Sequence, residues 1–252
     1  MRVAVVGGTG VVGRQVVSAL RAAGHEPVVI ARSAGIDVVT SVGLDAALAE
    51  ANVIVDVGNV ATASRAKSVA FFDQATSNLL AAGSRAGVEH LVTLSIVGCD
   101  RVDLGYYFGK RRQEELVLAG PLPFTILRAT QFHEFPGQLL ERMPNVPAVL
   151  MPVITVPRMR SQPIAAREVS KALARIVGEE PVGRAPDLAG PEVHDMSDLV
   201  RLVLRSRGSK RPVVGFRVPG RMGSALAKGG LLPDEAGPRG RETFEEWLES
   251  QV

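Results

Sequence analysis

Cysteine is almost absent from this chain of 252 residues, in which Cys99 stands alone. A single cysteine excludes an intrachain disulfide and is typical of proteins that work in a reducing compartment. A catalytic thiol is not indicated, because no histidine lies nearby in the sequence to deprotonate it. We therefore interpret Cys99 as a small buried residue of the core.

Histidine is also scarce, with four residues in the whole chain. Neither His133 nor His194 has a cysteine or an acidic cluster at the spacing that a metal site needs. We therefore predict that the protein has no metal site.

Long apolar runs are missing as well, and none approaches the roughly 20 residues of a membrane-spanning helix. The first predicted strand begins almost at Met1, without the charged and apolar segments of a secretory signal. We expect a cytoplasmic protein without membrane association. Its hydrophobic content of 46% is sufficient for a complete core.

Glycine, in contrast, is concentrated at the start of the chain, where a short apolar run leads into the segment 7–13, Gly-Gly-Thr-Gly-Val-Val-Gly. An apolar run, a glycine turn and a helical pattern predict a strand, a tight turn and a helix. The glycines allow a sharp turn and close approach of a pyrophosphate, and the helix supplies unpaired N–H groups. The residues predicted to bind the cofactor here are Gly7, Thr9, Gly10, Val11 and Val12.

Cofactor preference is indicated by the residue that follows the second predicted strand, residues 28–31. An NAD-specific enzyme usually carries an acidic residue there, which accepts a hydrogen bond from the ribose 2′-hydroxyl. This chain has Arg32, whose guanidinium suits a 2′-phosphate. We predict NADP(H) in preference to NAD(H); the alternative is that Arg32 is an ordinary surface arginine.

Apolar runs alternate with helical patterns as far as residue 130. Strands are predicted at 3–6, 28–31, 36–39, 53–59, 90–95 and 123–128, with helices between them at 44–51, 65–86 and 106–118. This alternation predicts an α/β fold, a Rossmann-type doubly wound parallel sheet with right-handed crossovers. Gly58 and Asn59 end one strand at the carboxyl edge, where open parallel sheets bind their ligands.

The second half of the chain is less regular. Prolines interrupt it at positions 136, 144, 147, 152, 157 and 163, and helices are predicted at 137–142, 166–177, 196–207 and around Trp247. We predict an NAD(P)-binding core at 1–130 and a smaller α/β substrate-cleft lobe at 131–252, in which 164–178 packs back on the core. The two parts are expected to form one continuous structural unit.

Three polar residues form the candidate catalytic group. Tyr106 and Lys110 share a helical face, and an adjacent ammonium is expected to lower the phenol pKa of about 10. Tyr106 would donate a proton to a carbonyl that accepts hydride, while Ser95 hydrogen-bonds the substrate oxygen. Tyr107, three residues before Lys110, could replace Tyr106 on that face. Gly58, Asn59, Ser95 and Lys110 are predicted to line the nicotinamide end of the cofactor.

Several motifs resemble those of the short-chain dehydrogenase/reductase superfamily, and within it the atypical, NmrA-like NAD(P)-binding group. The similarity rests on the glycine segment 7–13, the segment 106–114, the strand Thr-Ile-Leu-Arg at 125–128 and Gly-Pro-Glu at 190–192. It implies NADP(H) bound to a Rossmann fold, with a small C-terminal lobe that bounds the substrate cleft.

Two main functions are compatible with these features. The first is an NADPH-dependent oxidoreductase that transfers hydride to a small carbonyl or quinone. The alternative is a non-catalytic NADP(H)-binding redox sensor or regulator of the NmrA type, for which the basic segment 157–221, with thirteen Lys or Arg against seven Asp or Glu, would be the contact surface. Nucleic-acid binding ranks third. The sequence leaves the substrate and the oligomeric state open, and a homo-oligomer is compatible with it.

Overall fold

The computed structural model describes residues 1–143, 152–234 and 236–251. It divides into two compact units, one made of residues 1–128 and 166–186 and the other of residues 129–165 and 187–252. The functional division into a cofactor domain and a substrate lobe stays a prediction. Two of the predicted proline breaks, at 144 and 147, lie outside the described residues.

Strands and helices alternate through the first part of the chain. In chain order they are β1 Arg2–Val6, α1 Val11–Ala22, β2 Glu26–Ile30, α2 Leu44–Leu48, β3 Val53–Asp56, α3 Arg65–Ala86, β4 His90–Ile96, α4 Gly105–Ala119 and β5 Phe124–Ala129. The later elements are α5 Phe135–Glu141, β6 Ile154–Pro157, β7 Arg160–Ser161, α6 Ala166–Ile176, β8 Gly183–Arg184, β9 His194–Asp195, α7 Met196–Ser206, β10 Val213–Phe216, α8 Gly220–Ala227 and α9 Phe244–Glu249.

The first unit is built on a sheet of six strands among the described residues, in the order β2-β1-β3-β4-β5-β8. β1 pairs in parallel with β2 and β3, and β3 pairs in parallel with β4. The central strands are buried on both faces, as the fully buried Val5, Ile54 and Leu91 show. Such burial is why these strands are continuous apolar runs in the sequence. The predicted Rossmann-type α/β fold is confirmed.

One predicted strand, 36–39, is wrong. The backbone of this segment is hydrogen-bonded to side chains and not to a neighbouring strand. Asn78 donates hydrogen bonds to the carbonyl oxygens of Val38 and Val39, at 2.9 and 2.8 Å. Asp37 also accepts a hydrogen bond from the Val39 N–H. The sixth strand of the sheet is instead β8, whose two residues pair with β5 and are too short to produce a periodic pattern.

The second unit contains two pairs of short strands among its described residues. β6 pairs in parallel with β10, and β7 pairs in antiparallel fashion with β9. α9 begins with a capping box between Thr243 and Glu246, which satisfies two N–H groups of the first turn. His133 packs against the rings of Phe244 and Trp247, with both centroid distances at 5.5 Å.

Within residues 1–143, 152–234 and 236–251, no helix combines the length and the apolar character needed to cross a bilayer.

Candidate functional site

The glycine turn between β1 and α1 leaves no space for side chains at two of its positions. A Cβ at Gly13 would lie 2.0 Å from the carbonyl oxygen of Gly7, which is far inside van der Waals contact. Gly7 has φ +75° and would place a Cβ 2.9 Å from the Val57 oxygen. Glycine is therefore required at both positions, because strand, turn and helix are in backbone contact.

Gly10, in contrast, is exposed to solvent and caps the N-terminus of α1. A Cβ there would meet only the Gly7 oxygen, at 3.2 Å. Thr9, Gly10 and Val11 are exposed, and no described side chain accepts a hydrogen bond from the first turn of α1. Exposed backbone N–H groups at a helix N-terminus are a binding site for anions. This turn therefore fits the pyrophosphate of a dinucleotide.

Two hydrogen bonds hold the glycine turn in place. Arg14 donates a hydrogen bond to the Thr9 carbonyl oxygen at 2.5 Å. The Gly7 N–H donates to the Ile30 oxygen at the end of β2, at 2.9 Å. Arg32 follows β2 in a short 3₁₀ turn and is exposed. Its guanidinium is thus available to a ligand bound beside the carboxyl end of β2.

Tyr106 lies in the first turn of α4 and reaches the turn that follows β3. Its hydroxyl donates a hydrogen bond of 2.7 Å to Oδ1 of Asn59. Asn59 follows Gly58, whose Cα would be 3.1 Å from a Cβ on Gly7. The glycine turn, the end of β3 and the Tyr106 hydroxyl are therefore contiguous. The structure brings together Gly7, Gly58, Asn59 and Tyr106 from the predicted set.

The predicted influence of Lys110 on Tyr106 is wrong for this structure. Burial raises the pKa of the Tyr106 phenol above its ordinary value, and neighbouring Tyr107 and Asp56 act in the same direction. Lys110 does not contribute to this shift of the Tyr106 pKa, and its ammonium is hydrogen-bonded to groups other than Tyr106. It donates to the Leu94 carbonyl oxygen at 2.6 Å and to Oε1 of Gln113.

Lys110 belongs to a buried polar chain that sequence reasoning missed. Gln113 accepts from the Lys110 ammonium and donates to Oδ2 of Asp56 at 2.7 Å. Asp56 Oδ1 accepts from the Gly58 N–H at 2.9 Å. Burial raises the pKa of Asp56 and lowers that of Lys110, and each charge opposes the shift of the other. Two features of the sequence point to this set of hydrogen bonds. Asp56 is an acid at the end of an apolar strand, and Gln113 lies three residues after Lys110.

Ser95 belongs to a second buried network of hydrogen bonds. Its hydroxyl donates to Oε1 of Glu114, and Ser95 is 1% exposed. Arg128 holds the same carboxylate with two hydrogen bonds, of 2.9 and 2.7 Å, and Arg184 adds a third, of 2.9 Å. Although burial acts to raise it, the hydrogen bonds from Arg128 and Ser95 lower the pKa of Glu114. Glu114 is thus the partner of two arginines and not of Lys110.

Tyr107, the alternative to Tyr106, is buried, and so is Cys99. Tyr107 is 7% exposed and lies in an edge-on contact with the Tyr106 ring, at 6.2 Å between centroids. Cys99 is fully buried, as the sequence predicts, and burial raises its thiol pKa to about 11. Tyr106 is therefore the more accessible of the two tyrosines, since its side chain is only half-buried.

Comparison with known proteins identifies the family. A family model described as NAD(P)H-binding matches residues 7–155, which is more than half of the chain and includes the glycine turn. The chain belongs to this NAD(P)H-binding family. No curated protein sequence matches it.

Solved structures with the same fold as this NAD(P)H-binding chain include NADP(H) and NAD complexes. The triphenylmethane reductase of Citrobacter sp., complexed with NADP(H), has a TM-score of 0.73 at 16% identity, with 100% of both chains covered. The NADPH-dependent quinone oxidoreductase of Escherichia coli, complexed with NADPH, has a TM-score of 0.72 at 17% identity, with 99% of both covered. A Thermus thermophilus UDP-glucose 4-epimerase complexed with NAD has a TM-score of 0.66 at 18% identity, covering 99% of this chain and 98% of that one. The family model thus shows membership of the NAD(P)H-binding family, and these structures show that the fold is shared.

Proposed function

We propose that this protein is an NADPH-dependent oxidoreductase that transfers hydride to a small carbonyl or quinone. The observation that carries the proposal is the contact path from the glycine turn through Gly58 and Asn59 to the hydroxyl of Tyr106. A phosphate-binding turn and a proton donor are thereby held on one continuous edge of the sheet. A regulator that only binds the dinucleotide has no need for a donor at that place.

The cofactor would be held by backbone groups at one end and by Arg32 at the other. Thr9, Gly10, Val11 and Val12 present the start of α1 to the pyrophosphate, with Gly7 keeping the turn open. Arg32 would bind the 2′-phosphate, which favours NADP(H) over NAD(H). A bound nicotinamide supplies the hydride. Gly58 and Asn59 would lie beside it, because they continue the same edge.

Tyr106 would supply the proton. Its raised pKa keeps the hydroxyl protonated throughout the neutral range, so Tyr106 acts as a donor and not as a resident phenolate. A carbonyl that accepts hydride becomes a strongly basic alkoxide, which a phenol protonates readily. The hydrogen bond to Asn59 holds the hydroxyl beside the end of β3, and the single hydroxyl proton must turn from Asn59 to the substrate oxygen when it is donated.

Lys110 and Ser95 enter this proposal as supports of the site. Each is buried and bonded, Lys110 to the Leu94 oxygen and Gln113, and Ser95 to Glu114. Direct contact of either with a ligand requires that it leave these hydrogen bonds. We also propose a cytoplasmic location, which the single cysteine supports.

The test is a titration of the purified protein with NADPH and NADH, followed by oxidation of bound NADPH with a panel of quinones and aldehydes. We expect tighter binding of NADPH and turnover with at least one class of acceptor. Tight binding without turnover on any acceptor would overturn the enzymatic assignment and favour a sensor. Absence of binding to either nucleotide would overturn the whole proposal.

A further inference from the structure

We infer that Gln113 and Asp56 are positioning residues for Tyr106, an inference that rests on the oxidoreductase function proposed above. They complete a closed ring of contacts. Tyr106 is hydrogen-bonded to Asn59, whose neighbour Gly58 is hydrogen-bonded to Asp56. Asp56 is hydrogen-bonded in turn to Gln113, which lies on the same helix as Tyr106. We call this the positioning ring. It joins α4 to the turn after β3 at two places.

The first step of the argument is that position 113 needs an amide. The Lys110 ammonium can only donate hydrogen bonds, and an ionised Asp56 carboxylate can only accept them. The Gln113 amide does both, because its oxygen accepts from Lys110 and its nitrogen donates to Asp56. Glutamate could not donate and leucine could do neither. At 1% exposure, Gln113 is closed to bulk solvent, which therefore does not replace either hydrogen bond.

The second step is that Asp56 fixes the backbone on which Asn59 stands. Asp56 Oδ1 accepts from the Gly58 N–H, and a Cβ on Gly58 would lie 2.9 Å from the same oxygen. The turn is therefore pressed against the carboxylate. A shift of Asp56 would move Gly58, and with it the Asn59 oxygen that receives the Tyr106 hydrogen bond.

The third step concerns the spacing on α4. Tyr106 and Gln113 are seven residues apart, which places them on one face two turns from each other. Both therefore contact the end of β3 from the same side. Other contacts, such as the hydrogen bond from Ser68 to the Tyr106 carbonyl oxygen at 2.8 Å, also hold α4. Within the positioning ring, loss of the Gln113 contact leaves the Tyr106 hydrogen bond without the support of Asp56 on the Asn59 side.

The experiment compares Gln113→Leu with wild type, alone and combined with Tyr106→Phe. We expect Gln113→Leu to lower kcat about ten- to a hundred-fold, as small misplacements of a reacting group do. The Kd for NADPH should change little. In the Tyr106→Phe background the same substitution should have no further effect on kcat, because Gln113 acts through Tyr106. A merely structural residue would lower the residual rate again, and that result would overturn the inference.

Thr125→Val is the matched control for lost stability. Thr125 is fully buried at the start of β5, bonded to His90 and to the Val182 N–H. Loss of the Thr125 hydroxyl should lower Tm without lowering kcat. If Gln113→Leu does not fold, Gln113→Asn, which keeps the amide on a shorter side chain, serves in the same comparison. Equal kcat loss in the Thr125 variant would overturn the inference.

A readout without turnover separates this inference from the proposed function. The chain has two tyrosines, so Tyr106 is the only one in a Tyr107→Phe background, and the ultraviolet difference spectrum at neutral pH reports the hydrogen bonding of its hydroxyl. We expect Gln113→Leu to shift the tyrosine absorbance to shorter wavelength, because a hydroxyl released from Asn59 is hydrogen-bonded to water instead. An unchanged spectrum would overturn the inference even if the protein turns over. A shifted spectrum in a protein without turnover would support the positioning ring and overturn the oxidoreductase proposal.

Discussion

The Tyr106 hydroxyl donates its hydrogen bond to Oδ1 of Asn59, at 2.7 Å, and not to any group of Lys110. The two residues are 47 positions apart, and the bond joins the first turn of α4 to the turn after β3. It links the candidate proton donor directly to the edge of the sheet where a dinucleotide would bind. The reactivity of Tyr106 should therefore depend on Asn59 more than on Lys110.

Substitution of Asn59 tests this dependence. We expect Asn59→Ala to lower kcat about five- to ten-fold, the equivalent of one hydrogen bond of about 1 kcal/mol. Steady-state kinetics with NADPH and an active acceptor measure it. Asn52→Ala is the matched control, since Asn52 accepts a hydrogen bond from the Arg2 N–H before β3 begins. Equal kcat in wild type and Asn59→Ala would show that the bond has no role in turnover.

Cofactor preference should depend on Arg32. The Arg32→Ala substitution removes a charge-assisted contact to the 2′-phosphate, which is worth about 1.5–3 kcal/mol. NADPH affinity should fall by about ten-fold or more while NADH affinity stays constant, as fluorescence titration of each nucleotide would show. Arg21→Ala, at an exposed position in the last turn of α1, should change neither. Parallel losses for both nucleotides would contradict a 2′-phosphate contact.

The glycine turn offers a substitution that separates binding from folding. A Cβ at Gly10 would lie 3.2 Å from the Gly7 oxygen, a tight contact, while φ is −72°, which alanine adopts without strain. Gly10→Ala should therefore fold, with a Tm slightly below that of the wild type because the turn must shift by a few tenths of an ångström. The new methyl group would stand where a pyrophosphate approaches, so we expect about ten-fold weaker NADPH binding.

Gly178→Ala provides the control for Gly10→Ala. Its Cβ would meet only the Arg175 oxygen, at an ordinary 3.6 Å, and it lies just after α6. Both Tm and NADPH affinity should match the wild type. Undiminished NADPH affinity in Gly10→Ala would place the pyrophosphate elsewhere.

Stability should fall in mild acid because of His90. His90 is buried, shares a 2.8 Å hydrogen bond with Thr125, and has its pKa lowered below 6.5 by burial. The unfolded state therefore binds the proton more readily, so stability is full above about pH 6.5 and declines as the pH falls below it. We expect Tm to drop between pH 7.5 and pH 5 in wild type, and to drop less in His90→Gln. Identical pH profiles for the two proteins would exclude this contribution.

Much of the fold could be predicted because its signals are local. A parallel strand covered on both faces must be an apolar run, and the residues from Val53 to Asp56 are an example. The predicted strand 36–39 failed because Asn78, far along the chain, satisfies its backbone. β8 was missed because two residues carry no periodicity. In both cases the hydrogen-bonding partner, Asn78 for the segment 36–39 and β5 for β8, is distant in sequence.

The candidate site divides in the same way. The glycine turn could be predicted from consecutive residues, and the shared face of Tyr106 and Lys110 from helical spacing. Which groups these side chains contact could not be predicted, because hydrogen bonds such as Gln113 to Asp56 span 57 positions. The direction of the Lys110 ammonium depends on such partners. Spacing shows which residues share a face but not where their polar atoms are bonded.

The most direct test of the account is the rate of NADPH oxidation by Tyr106→Phe compared with Tyr107→Phe. Both substitutions remove one hydroxyl and keep the ring, and the two residues are adjacent on α4. The account predicts that Tyr106→Phe binds NADPH as wild type does but loses most of its turnover, about a hundred-fold or more, while Tyr107→Phe keeps it. Equal turnover in the two variants would contradict Tyr106 as the proton donor.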